Sequence, residues 1–307
     1  MELFYNLDSD QVKNIIEKTI SSYGFSAEHN HNYIMSYASK ECKPIFAYFG
    51  DDKGLFGLEW DDGFWQLISE VMSPMNERAA LFSEFCRYIF SDKNAKKILL
   101  EVPPIFRKEL LKDNTKLLPE LKIGAITKKL YTPIISLEEW NSTLYGPGYS
   151  SLRKAKNRFF RLFNIKILKG KDVNHISIVE YTKMVDAWRK NRSPNDIASY
   201  DDYLSYIKNG FKGSDAQLAL IINDKLCGLS VAWRLPNNHD TIYYGINLHD
   251  YSIPELGEFL AVIFFEMLKS QGYKHLDFGS SDEGLLNYKK KFHPKSIIDY
   301  VCFYIRK

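Results

Sequence analysis

The chain has 307 residues, 45% apolar and 26% charged, with 17 Gly and 11 Pro. These are globular values, so collagen-like, low-complexity and disordered classes are excluded, and the length points to roughly two domains of about 150 residues. The net charge of +3 is unevenly spread: eight cations and no acid lie between Ser151 and Lys171, while the remainder carries 33 cations against 38 acids. A basic segment on a slightly acidic body reads either as a site for a local anionic partner or as a solvated helix face. The four cysteines are widely spaced with no CxxC or Cys/His ligand pattern, which supports neither a disulfide framework nor a metal site. The first residues lack the apolar core of a signal peptide, and the longest near-apolar run, Phe259 to Phe265, falls far short of the roughly twenty residues a membrane span needs. The expectation is a soluble, cytoplasmic protein.

In chain order, helices are predicted near Gln11–Ser22 and His29–Ala38. Strands follow at Pro44–Phe49, Leu55–Trp60 and Phe64–Ile68, then a helix near Glu77–Phe90 and a strand at Lys97–Val102. A boundary near Pro133–Trp140 divides the chain into 1–135 and 136–307. The second part opens on a basic helix, Tyr149–Phe163, with Leu152, Ala155, Phe159 and Phe163 on one face. Arg153, Lys154, Arg158 and Arg161 fall on the other, and Lys156 sits at the apolar edge, where it must snorkel or reach into a cleft. A strand at Asn164–Leu168 leads to helices near Ser177–Lys190 and Asp202–Lys208. Strands at Ala216–Ile222 and Leu226–Trp233 are joined through Asn223-Asp224, a hairpin signal, and Thr241–Asn247 is a third. Ser252 and Glu255 have capping-box spacing, so a helix is predicted to start there and to stop at Gly272. A strand at His275–Phe278, a short helix from Asp282 and a strand at Ile297–Ile305 complete the order β-α-α-β-β-β-α-β-α-β. The first half reads as a blurred copy of the same order.

That order resembles the GNAT (N-acetyltransferase) fold, an α/β architecture with mixed sheets, here as two tandem units. The run Leu276-Asp277-Phe278-Gly279-Ser280-Ser281-Asp282-Glu283-Gly284-Leu285, followed by Tyr288-Lys289-Lys290-Lys291-Phe292-His293-Pro294, resembles a signature of the lysylphosphatidylglycerol synthase catalytic domain and the Fem-type peptidyltransferases. The segment Gly148 to Arg158 resembles the Arg-containing helix that enters their second unit. The resemblance implies transfer of an aminoacyl group from charged tRNA, or of an acyl group from a thioester, to an amine or hydroxyl. It also implies that Lys289 contacts the donor. No tightly bound cofactor is implied; aminoacyl-tRNA or acyl-CoA is a co-substrate. A CoA-using relative carries a glycine-rich loop that cradles pyrophosphate at a helix N-terminus, whereas the stretch from Asn247 to Gly257 has a single glycine, which favours the tRNA branch.

Transfer from an activated carbonyl needs positioning, a base and an oxyanion partner. Backbone N–H groups near Tyr243–Ile246 and the Lys289 ammonium are the oxyanion candidates. His249, Asp250 and Asp277 are candidate bases, each with a plainer reading: a surface loop residue, a local backbone partner and an ion-pair partner respectively. Asp282 is read as a turn contact or as a helix N-cap. Tyr244 and Tyr288 are read as substrate contacts or as core walls. With Gly279, Ser280 and Ser281 these would bind the donor's acyl end, while Arg153, Lys156 and Arg158 would neutralise tRNA phosphates without reading sequence. The competing functions are an acyl-CoA N-acyltransferase and a non-catalytic module that binds RNA or a membrane surface.

Overall fold

A computed structural model of the protein describes residues 1–117, 120–191 and 200–307. The first half runs β1 (Glu2–Phe4), α1 (Asp10–Tyr23), α2 (His31–Met35), β2 (Cys42–Gly50), β3 (Lys53–Trp60), β4 (Phe64–Leu67), α3 (Arg78–Asp92), β5 (Lys97–Val102), α4 (Pro104–Leu117) and β6 (Lys122–Ser136). The linking helix α5 (Ser150–Leu162) follows. The second half repeats the order as β7 (Ile165–Lys169), α6 (Ile178–Lys190), α7 (Tyr200–Lys208), β8 (Ala216–Ile222), β9 (Lys225–Leu235), β10 (Asn238–His249), α8 (Leu256–Ser270), β11 (His275–Asp277), α9 (Glu283–Lys289) and β12 (Ser296–Arg306). The elements that the local patterns do not announce are β1, α4 and β6. β1 is three residues long, and β6 carries Gly124, Pro133 and a Lys128-Lys129 pair that break strand alternation.

The strands among the described residues form one sheet in the order β1-β2-β3-β4-β5-β12-β6-β11-β10-β9-β8-β7. Every pairing is antiparallel except β4 with β5 and β10 with β11. The two halves therefore exchange their last strands. β6 lies beside β11 of the second half, and β12 lies beside β5 of the first, with β6 and β12 paired to each other at the centre.

Local chemistry explains most element ends. Ser9, Asn30, Ser177 and Asp282 each accept a backbone N–H at a helix start. The β8–β9 turn has positive φ at both Asn223 and Asp224, as a two-residue hairpin requires. The predicted capping box before α8 does not form. Ser252 gives its hydroxyl to Asp250 instead, and the helix begins four residues later, behind a left-handed Glu255. α8 is buried on nearly every side because the sheet covers one face and α5 the other. Leu152, Ala155 and Phe159 of α5 supply that cover, and Phe159 stacks on Phe259 with ring centroids 4.6 Å apart. All four cysteines are buried.

One irregularity shapes the site. β10 shifts register against β9 between Tyr244 and Ile246, and a Cβ at Gly245 would collide with the Trp233 ring lying across that bulge. β10 pairs with β11 only from Thr241 to Tyr243, and β11 then ends at Asp277. A gap opens beyond that point.

Candidate active site

A cavity of about 360 Å³ lies between the halves, over the short β10–β11 pairing. Its floor is the shared sheet: Thr241 and Tyr243 of β10, Asp277 of β11, Thr132 of β6 and Tyr300 of β12. Glu101 and Ser280 line one side, and the loop of residues 25–28 after α1 closes another. Three carboxyls, Glu28, Glu101 and Asp277, therefore share one chamber.

The turn after β11 is built by its own polar groups. Gly279 takes φ +76°, which a side chain resists, and gives its N–H to Asp277 Oδ1 at 2.8 Å. Lys289, on α9, is only 7% exposed and donates to the carbonyls of Phe278 and Gly279, the latter at 2.9 Å. Ser280 Oγ and Thr132 Oγ1 are 3.3 Å apart, and Ser281 accepts the Tyr131 N–H through its carbonyl. A Cβ at Gly279 would lie 3.6 Å from the Tyr243 hydroxyl and 3.7 Å from Lys289 Nζ, so the turn separates the cavity from the ammonium by about one atom's width.

Burial dominates the titration of these groups. It pushes Asp277 up to about 6, held back by the Gly279 N–H and by Lys289. It pulls Lys289 down to about 7, opposed by Asp277 and Asp282. Glu28 is pushed up to about 8 by burial, against its own backbone N–H and Ser26, with Glu101 and Asp277 adding to the rise. Glu101 is raised by burial as well, while Ser280 and Lys128 pull it back. Carboxyls held this way either keep protons or take up a cation. Among the described residues no group of His, Cys, Asp and Glu converges closely enough to hold a metal ion. The chamber's lining carries these three carboxyls together with His275 and Lys295, and Lys295 is paired with Glu139 at 2.7 Å.

The structure gathers Asp277, Gly279, Ser280, Ser281, Asp282 and Lys289 at this turn, with Asp282 capping α9 by accepting the Leu285 N–H. It puts the other candidates elsewhere. His249 is six residues beyond Tyr243, roughly 20 Å along a strand, its ring tilted against Tyr251 with centroids 4.3 Å apart. Asp250 is buried and accepts from Lys225 Nζ at 2.8 Å and from the Ser252 N–H and hydroxyl. Burial raises its pKa, but those bonds prevail and hold it below the usual range. Tyr288 lies with His249 against Gly257, at the first turn of α8. Tyr244 belongs to the core, stacked on Phe278 with its hydroxyl on Ser230. On α5, Arg153 holds the carbonyls of Leu144 and Gly146, Lys156 pairs with Glu266 at 2.6 Å, and Arg158 pairs with Glu255 at 3.1 Å. None of the three lines the cavity.

Glu28, Glu101 and Tyr300 carry no signal in the sequence. They come from a loop, a first-half strand and the last strand, and no spacing links them. Only the exchange of β6 and β12 brings them to one place.

A sequence model of the family described as phosphatidylglycerol lysyltransferase, C-terminal, matches residues 132–303, more than half of the chain. No curated protein matches by sequence. Among solved structures, the chain is similar to the C-terminal domain of a protein described as a lysylphosphatidylglycerol synthetase from Agrobacterium fabrum. That likeness has TM-score 0.63 and 15% identity, covering 95% of this chain and 91% of that one. It is similar to L-PGS from Bacillus licheniformis, with TM-score 0.58 and 13% identity over 96% and 91% of the two chains. A tandem GNAT protein from the clavulanic acid biosynthesis pathway matches with TM-score 0.56 and 9% identity over 99% and 97%. These likenesses show a tandem GNAT fold and, with the family match, an acyltransferase-type function. The chain belongs to the phosphatidylglycerol lysyltransferase C-terminal family.

Proposed function

We propose that the protein moves an aminoacyl group from a charged tRNA to an amine or hydroxyl acceptor. The second unit, 136–307, holds the donor's acyl end in the cavity, and the first unit, 1–135, closes it. The observation that carries this reading is the charge of the chamber. An acetyl or fatty acyl group is neutral and gains nothing from three carboxyls, whereas an aminoacyl ester carries an ammonium one carbon away from its activated carbonyl. With that ammonium among Glu28, Glu101 and Asp277, the carbonyl falls at the Gly279 turn. Lys289 is a positioning residue: its hold on two successive carbonyls sets the turn that directs Asp277. The acceptor's nitrogen or oxygen bonds to the ester carbon, the bond to the ribose oxygen breaks, and the acceptor's proton leaves with the freed ribose hydroxyl. Holding the partners in attack geometry supplies roughly 7–11 kcal/mol of such a barrier.

The first turn of α8 adds support. Glu255 and Glu258 already stand at its positive end, paired with Arg158 and Lys291. A CoA pyrophosphate would meet two carboxylates there instead of a glycine-rich cradle. A charged-tRNA donor is made in the cytoplasm, so the same reading assigns the protein to that compartment. No helix among the described residues is long and apolar enough to cross a membrane, so a lipid acceptor is met at the bilayer surface.

The test supplies purified protein with a charged-tRNA pool bearing labelled amino acids, or with labelled acyl-CoAs. Phosphatidylglycerol vesicles and a small amine serve as acceptors, and Lys289→Ala is run beside the wild type. Label should move from tRNA in the wild type and fall sharply in the variant. Label moving from acyl-CoA alone assigns the thioester reading. Salt-sensitive RNA binding with no product assigns the non-catalytic one.

A further inference from the structure

The first half lines the cavity with Glu101 and Thr132 of its strands and with the loop of residues 25–28. Several bonds lock that loop onto the second half or into its own frame. Trp233 donates its indole N–H to the Ala27 carbonyl at 3.0 Å, and Asn237 donates to the carbonyls of Gly24 at 2.9 Å and Ile20 at 3.1 Å. Within the loop, the buried His29 ring accepts the N–H groups of Phe25 and Ser26 at 3.1 and 3.3 Å, and its other nitrogen meets the Glu70 carbonyl. The Trp233 ring also lies 4.9 Å from Tyr243, a cavity wall, and fills the bulge at Gly245. One side chain thus touches the β10 bulge, the cavity wall at Tyr243 and the loop that closes the cavity. Glu28, next to Ala27, faces Asp277 and Glu101 across the chamber.

Resting on the aminoacyl reading above, we propose that the first half sets the charge selectivity of the cavity. Glu28, positioned by the Trp233–Ala27 bond, is the specificity-determining residue that admits a protonated amine and refuses the same molecule made neutral. The geometry favours Glu28 over its two neighbours. Each of the three accepts from neutral donors, but Asp277 also lies beside Lys289 and Glu101 beside Lys128, whereas the donors on Glu28 are its own backbone N–H and Ser26. The charges acting on Glu28 among the described residues are those of carboxyls, so an arriving ammonium is its natural partner.

The probes are an alanine ester, which mimics the donor's acyl end, and its N-acetyl derivative, titrated by NMR or calorimetry into the full chain. The wild type should prefer the cation by roughly tenfold or more, the scale of one charged hydrogen bond. Glu28→Gln should erase most of that preference. Trp233→Phe keeps an aromatic ring but removes the N–H, and it should weaken the preference with little further loss when combined with Glu28→Gln, because both act through one carboxyl. If Glu28→Gln keeps the preference while Asp277→Asn loses it, the second half alone reads the charge and the proposal fails, though the aminoacyl reading stands. If the wild type does not distinguish the probes, that reading fails too. Should Trp233→Phe not fold, Glu28→Gln alone decides.

Discussion

The two parallel pairings, β4 with β5 and β10 with β11, occupy matching places in the two halves, and what stands behind them differs. Beyond β4 the chain bulges and runs on beside β3, so that Met72 pairs with Gly54 through two backbone bonds, and Val71 and Met72 are fully buried. Behind them Glu70 pairs with Arg78 at 3.5 Å, and Arg78 lies over the Phe25 ring. β10 likewise runs on beside β9 past its own bulge, as far as His249. The bulge at Gly245 turns the strand aside, and the Gly279 turn with Lys289 behind it borders a chamber. One element order thus yields two splits backed by different charges: a buried lysine in the second half and a Glu70–Arg78 pair in the first.

The comparison can be broken most forcefully at its two cations. Lys289→Ala should lower transfer by about 10²-fold, the scale of a small misplacement of the reacting groups. Arg78→Ala should leave transfer nearly intact but cost about 2 kcal/mol of stability, because Glu70 then loses its charged partner. A transfer assay with denaturant melts of both variants checks this; equal effects on rate would erase the distinction. Gly245→Ala comes next. Its Cβ has no room beside Trp233, so the bulge must shift, with a loss of about 1–3 kcal/mol and weakened probe binding.

A third effect follows from pH. Asp277 and Glu28 hold their protons to about 6 and about 8, above their values in an unfolded chain. The folded state therefore binds protons that the unfolded state has released, so both groups cost stability progressively as pH rises from about 4 to 8. Glu28→Gln removes that cost, and its gain in melting temperature should be larger at pH 8.5 than at pH 5. Lys289 works in the opposite sense. Its lowered pKa costs stability below about 7, and the cost is relieved as pH climbs toward the ordinary lysine range. Binding of a cationic probe should strengthen between pH 6 and 8 as the carboxyls ionise, and titrations across that range test it. The smallest expected effect lies outside the split. Lys154 and Arg161 are exposed on α5, so replacing both with Ala should change stability by less than about 0.5 kcal/mol. The salt dependence of tRNA binding should become shallower by roughly 0.7–0.9 in logarithmic slope for each phosphate that these two cations neutralise.

Much of the fold was legible because its signals are local. The apolar stripe Leu152-Ala155-Phe159 named the buried face of α5, Asn223-Asp224 named its hairpin, and Asp282 named a helix start. The Gly279 turn with Lys289 was legible as a motif. Local signals misled where two partners competed for one group. Ser252 had the spacing of a cap but satisfied Asp250, and Arg153, Lys156 and Arg158 looked free on a helical wheel but were taken by the neighbouring loop, Glu266 and Glu255.

By itself, then, the order of residues determined the repeated element pattern, the buried helix faces and the turn at Gly279, since these depend on hydrogen bonds and apolar spacing within a few residues. Only the tertiary structure decided that β6 and β12 change places, and that Glu28, Glu101 and Asp277 meet in one chamber. Contacts between groups so far apart along the chain are set by how whole layers pack, and no short stretch of sequence encodes that.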